Sequence, residues 1–106
     1  MTRKKLRELL EPLGVRVFDD FLNTKNVPKD YIVIRVGITY SRLYADGKIR
    51  FKQPLCRVDV FTNGINEYDL ADRVEEALQE LNPQRIDLGY LEDIRKTQVT
   101  FEFYYK

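Results

Sequence analysis

The sequence predicts an α+β fold: a mainly antiparallel sheet of about five strands, with a long β-hairpin and two helices packed on one face. Three observations predict it. Residues 31–44 and 49–62 both alternate apolar and polar side chains around Ala45-Asp46-Gly47, which reads as a hairpin turn. Leu70, Val74, Leu78 and Leu81 recur at helical spacing, with Ala71 and Ala77 beside them. The C-terminal segment from Lys96 alternates again, with Val99, Phe101, Phe103 and Tyr105 on one side and Gln98, Thr100, Glu102 and Tyr104 on the other.

The first element is a helix over residues 2–11. Thr2 can cap it, Leu6, Leu9, Leu10 and Leu13 form its apolar stripe, and Pro12 and Gly14 stop it. Its basic residues Arg3, Lys4, Lys5 and Arg7 read as a solvated face rather than a phosphate-binding arm. A short strand, Val15 to Phe18, precedes a polar loop over 19–30, in which Pro28 pushes Val27 toward extended backbone. This is the longest irregular piece, expected to be mobile or to order on a partner. Asn63-Gly64 is a turn, Asn66 an N-cap, and Asn82-Pro83 a helix stop. Strand 85–91 places Ile86, Leu88 and Tyr90 on one face.

The hairpin register can be argued from its side chains. A two-residue loop would set Ile34 against Asp59 and Val36 against Arg57. A three-residue loop, with Gly47 left-handed and Tyr44 opposite Lys48, sets Ile32 against Val60, Ile34 against Val58 and Val36 against Cys56. Apolar then meets apolar three times, so this register is expected. It also opposes Arg35 to Arg57, a like-charge pair that Asp59 or a partner's carboxylate must offset. Continued outward, it gathers Tyr40, Arg42, Arg50 and Lys52 on one face and turns Leu43, Ile49 and Phe51 to the other. Either a bulge near Pro54 re-phases the tip onto the core, or the tip leaves the body as an arm that packs on something else. An arm with a basic and an apolar face suits a subunit contact. The candidate interface residues are Arg35, Leu43, Ile49, Phe51 and Arg57.

Composition removes most chemistry. The 106 residues fit one domain, 1–106, with 43% hydrophobic residues and a net charge of +1. A domain this small gains from neighbouring subunits. No histidine is present, which removes the commonest general base and zinc ligand. The one cysteine, Cys56, makes no internal disulfide. There is no apolar run near ~18 residues and no secretory h-region, so no membrane partner is expected. Phosphate loops, CxxC pairs and nucleophile elbows are missing. Glu75 and Glu76 are adjacent on a helix and diverge, so they read as solvated and not as an acid–base pair. The expectation is a non-enzymatic protein with no cofactor, no metal and no catalytic residue.

The order of elements resembles the small tail-terminator, or tail-completion, proteins of tailed bacteriophages and prophages, which join head to tail. The likeness is carried by the leucine helix (Leu6 to Leu13), the proline loop before an apolar strand (Pro28 to Ile34), the long hairpin, the stretch DVFTNGINEYDLADRVEEAL and the aromatic last strand (Val99 to Tyr105). The resemblance implies a structural subunit of the virion, in its tail or neck, assembled in the host cytoplasm. It implies a homo-oligomeric ring, commonly of six copies, that caps the tail-tube protein and offers a surface to the head connector or completion protein. Nucleic acid would only pass through such a ring. Another neck or head-completion protein fits the same residues. So does a small nucleic-acid-binding module using Arg42, Arg50 and Lys52, although the near-neutral charge argues against it.

Overall fold

Apolar residues at every second position bury one side of a strand, and the two central strands do this against each other and against a third. The structure, a computed structural model, describes residues 3–19, 28–43, 49–65 and 67–104, and over 38–43 and 49–54 it describes the backbone alone. The elements are α1 (Arg3–Leu10), β1 (Arg16–Asp19), β2 (Tyr31–Leu43), β3 (Ile49–Thr62), α2 (Asp69–Ala77), β4 (Gln84–Leu91) and β5 (Lys96–Tyr104). They form an α+β domain with one mixed sheet in the order β1-β2-β3-β5-β4. β1 runs parallel to β2, and the other neighbours are antiparallel.

The expected register holds through the body of the hairpin. Ile32 faces Val60, Ile34 faces Val58, and Val36 faces Cys56. β5 extends these rungs with Val99, Phe101 and Phe103. One buried cluster unites these residues with Val17, with Leu6 and Leu10 of α1, and with Leu70, Ala71, Val74 and Leu78 of the second helical segment. Phe101 is fully buried at its centre. Burying a side chain of this size stabilises by about 1.5–3 kcal/mol.

The helix ends follow from local chemistry. Pro12 lies in a 3-10 turn, Glu11–Leu13, and Gly14, at φ 79°, closes it by donating to the Glu11 carbonyl at 3.1 Å. α2 begins at Asp69 after Tyr68, and Asp69 and Asp72 favour its positive end. Asn82 takes φ 52° after the 3-10 turn Gln79–Leu81, and Pro83 prevents continuation. The expected cap Thr2, the turn Ala45-Asp46-Gly47, the Tyr44–Lys48 pair, Asn66, Tyr105 and most of the 19–30 loop lie outside the described residues. No described helix is long and apolar enough to cross a membrane.

Two bulges correct the sequence reading. The first lies in β2 at Gly37, not in β3 near Pro54: Val36 pairs with Cys56, but Ile38 pairs with Leu55. Gly37 has φ 88°, a conformation that a side chain resists and glycine accepts. Tyr40 therefore meets Gln53 and Arg42 meets Phe51, instead of Lys52 and Arg50. A second shift after Arg42 returns Leu43 to Ile49, as expected. The other bulge lies between Asp87 and Gly89, where Gly89 has φ 79°. It places Ile86 opposite Thr100 and Tyr90 opposite Thr97, so these two residues occupy opposite faces, while Leu88 is 46% exposed.

Replacing Gly37 with alanine forces an L-residue into the left-handed region, a cost of about 1–2 kcal/mol. Urea unfolding of Gly37→Ala is expected to show that loss with an unchanged m-value. An unaltered midpoint would contradict the bulge.

Candidate functional site

The side of the sheet opposite the main cluster carries the features that core packing does not explain. By alternation it presents Tyr31, Val33 and Arg35 of β2, Leu55, Arg57, Asp59 and Phe61 of β3, and Gln98 and Thr100 of β5. Every buried residue of α1 and α2 belongs to the main cluster.

Asp59 is the centre of this side. It is only 3% exposed, although it lies between Val58 and Val60 in a strand. One carboxylate oxygen, Oδ1, accepts from Thr100 Oγ1 at 2.6 Å, Arg57 Nε at 3.1 Å and Gln98 Nε2 at 3.3 Å. Gln98 also donates to Thr100 Oγ1 at 3.4 Å. A buried carboxylate is tolerable only with such donors. Arg35 and Arg57 stand opposite each other as expected. The Asp59 carboxylate bonds Arg57, so the like-charge rung is offset within the chain.

Beside this network lies an aromatic trio. Tyr31 stacks on Phe61 with centroids 4.8 Å apart and planes 21° apart, and meets Phe18 edge-on at 5.9 Å. Arg16 lies 5.0 Å from the Phe18 centroid, and Lys96 Nζ lies 5.7 Å from that of Tyr31. The Lys96 ammonium also donates to the carbonyls of Lys29 at 2.6 Å and Pro28 at 3.4 Å. Burial pushes the Tyr31 phenol above its ordinary pKa. Because these rings stack on one another, the Tyr31 face is not open for a base, which counts against a stacking platform of the single-strand-binding type. Phe101 and Phe103 are core residues, as expected.

Gln98 and Thr100 lie, as expected from alternation, on the side of β5 away from Val99, Phe101 and Phe103, but they are buried there around Asp59. An aspartate in mid-strand, a residue type depleted there, was the available signal. Glu75, which reads as solvated in the sequence, and Asp72 one turn before it both pair with Arg85 of β4, at 2.9 and 2.7 Å, and Asp87 joins them at 2.9 Å. Burial of Arg85 opposes its charge, but these three carboxylates outweigh it and raise its pKa. Arg85 thus ties α2 to the β4 edge over the Phe101 ring.

Among the described residues the other candidate groups serve the fold. Cys56 is buried, and burial raises its thiol pKa, which disfavours the thiolate. Among the described residues no group of three or more His, Cys, Asp or Glu is placed to hold a metal ion. A polar depression of about 250 Å³ is lined by Asp30, Asn63, Glu67, Asp69 and Arg73 with Thr62 and Leu70. Its polar groups serve the fold: Asp30 accepts from the Asn63 amide at 3.0 Å, Thr62 donates to the Glu67 carbonyl at 2.9 Å, and Arg73 donates to the Leu13 carbonyl at 2.7 Å. Of the interface candidates, Arg35 and Arg57 share this side of the sheet. Leu43, Ile49 and Phe51 lie far along the hairpin, where side chains are outside the described residues.

Thr100→Val keeps the shape and removes the 2.6 Å bond to Asp59. It is expected to lower stability by about 1–3 kcal/mol in chemical denaturation, with Asp59→Ala costing more because three donors lose their acceptor. Equal stability of Thr100→Val and wild type would show the network to be idle. No protein-family model and no curated protein matches this chain.

Proposed function

We propose that this chain is a structural subunit of a phage or prophage tail, a tail terminator or head–tail joining protein. It forms a ring of about six copies on the end of the tail tube and performs no chemistry. The observation that carries the reading is the far half of the hairpin. β5 pairs with β3 only from Leu55 to Thr62, and β1 pairs with β2 only from Tyr31 to Ile34. Beyond Ile38 and Leu55 the two strands continue to Leu43 and Ile49 as a ribbon with no third strand among the described residues.

A two-stranded ribbon is marginal in water on its own. Five rungs extend it by about 17 Å. Its sequence keeps Leu43, Ile49 and Phe51, residues a solvated ribbon does not need. A neighbouring copy that covers the ribbon supplies what the small body lacks. The resemblance in the stretch from Asp59 to Leu78 supports the same reading, in which the protein sits in the virion neck or tail, between the tail-tube protein and the head connector.

Light scattering of the purified protein, alone and with added tail tubes, is expected to find a ring-sized oligomer. Ile49→Asp and Phe51→Asp are expected to leave a folded monomer. A wild type that stays monomeric at high concentration and does not bind tube ends would overturn the proposal.

A further inference from the structure

We infer that the turn after β3 is a modification site, where Asn63 loses its side-chain amide to the backbone nitrogen of Gly64 and becomes aspartate or isoaspartate without an enzyme. The reaction needs an asparagine side chain open to water, a following N–H that is not held elsewhere, and no Cβ on that residue to block the approach. All three meet here. Asn63 is exposed, just past the last β3–β5 rung, Thr62 with Thr97. Its own N–H donates to Asp30 Oδ1 at 3.0 Å, but among the described residues its carboxamide has no hydrogen-bond partner. The Gly64 carbonyl accepts from the Thr97 hydroxyl, while among the described residues the Gly64 N–H has no partner. The fold also holds glycine in place, because a Cβ at position 64 would lie 2.5 Å from Glu67 Cγ. The other asparagines are poorer candidates. Asn82 precedes Pro83, which has no N–H, and Asn23, Asn26 and Asn66 precede Thr24, Val27 and Glu67, whose side chains crowd the nitrogen.

The chemistry has two steps. First the Gly64 nitrogen bonds to Asn63 Cγ, the carboxamide C–N bond breaks, and ammonia leaves with the proton that Gly64 gave up. This closes a cyclic imide. Then water opens the ring: its hydroxyl joins one of the two imide carbons and its proton returns to the Gly64 nitrogen. Breaking the new bond at Cγ leaves aspartate. Breaking the bond at the main-chain carbonyl carbon leaves isoaspartate, with one extra carbon in the backbone. Water is the co-reactant, and nothing is oxidised or reduced.

Either product strains the turn. The new carboxylate stands in the lining of the polar depression, whose other charged residues are Asp30, Glu67 and Asp69 against Arg73. Arg73 already donates to the Leu13 carbonyl, so the added negative charge meets mainly like charges. Isoaspartate also lengthens the chain between two fixed points, the Asn63 N–H on Asp30 and the Gly64 carbonyl under Thr97. Both ties cannot be kept at the new length, and the end of β3 loosens as the protein ages.

The test incubates the full-length protein at neutral and at alkaline pH, in native buffer and in urea, and sequences the tryptic fragment between Arg57 and Arg73 by tandem mass spectrometry. The native protein is expected to gain the mass of an amide-to-acid exchange at residue 63 and not at residue 66. The gain is expected to be faster at alkaline pH, because the deprotonated amide attacks, and the product is expected to accept a methyl label from isoaspartyl methyltransferase. Asn63→Gln, whose longer side chain disfavours the ring, is expected to stay unmodified. Aged protein, separated by its extra negative charge, is expected to unfold at lower urea than fresh protein. Asn63→Asp, which carries the charge without the longer backbone, is expected to fall between them. Modification in urea but not in native buffer would show that the turn protects the pair, and no modification in either would show the pair to be inert; each overturns the inference. Aged protein as stable as fresh would overturn the loss of the two ties.

Discussion

The fold depends on one alignment, that of β2 on β3 in the body of the sheet. The rungs Ile32–Val60–Val99 and Ile34–Val58–Phe101 cross three strands, and the buried faces of both helices belong to the same cluster. A slip of one residue would turn each of these side chains to the wrong side. The same alignment sets Arg35 against Arg57 and puts Asp59 where Thr100 and Gln98 can donate to it. One register thus specifies an apolar side and a polar side together. The polar side reinforces it, because a slip would also strip a buried carboxylate of its donors.

At Gly37 this alignment stops. A glycine at positive φ takes up one extra residue in β2, and the hairpin continues beyond the last rungs that β1 and β5 share with it. The bulge marks the boundary between a sheet stabilised by its own core and a ribbon of two strands. The proposed structural role draws on that division: the body has its own buried core, and the ribbon has no third strand among the described residues.

Much of this was legible in the residues. The pairing of Ile34 with Val58 followed from refusing to waste apolar side chains, and the helix over Asp69 to Ala77 from the spacing of Leu70 and Val74. The bulges were less legible. Pro54 attracted attention as the residue that cannot donate to a ladder, whereas the break falls at Gly37, whose lack of a Cβ leaves no pattern for alternation to reveal. Leu88 was assigned with Ile86 and Tyr90 because period two ignores an inserted residue. The Asp59 network was half visible: a carboxylate between two valines signals a special environment, but Thr100 and Gln98 are about forty residues away, and only the β3–β5 register brings them together. The roles of Asp72 and Glu75 were hidden for the same reason, since their partner Arg85 sits on another element.

Cross-strand backbone NOEs in isotope-labelled protein test the alignment most directly. The account predicts contacts between Ile34 and Val58, between Ile38 and Leu55 and between Leu43 and Ile49. Contacts from Ile38 to Pro54 in place of Leu55 would remove the bulge at Gly37, and contacts from Ile34 to Asp59 would overturn the register on which both sides of the sheet are built.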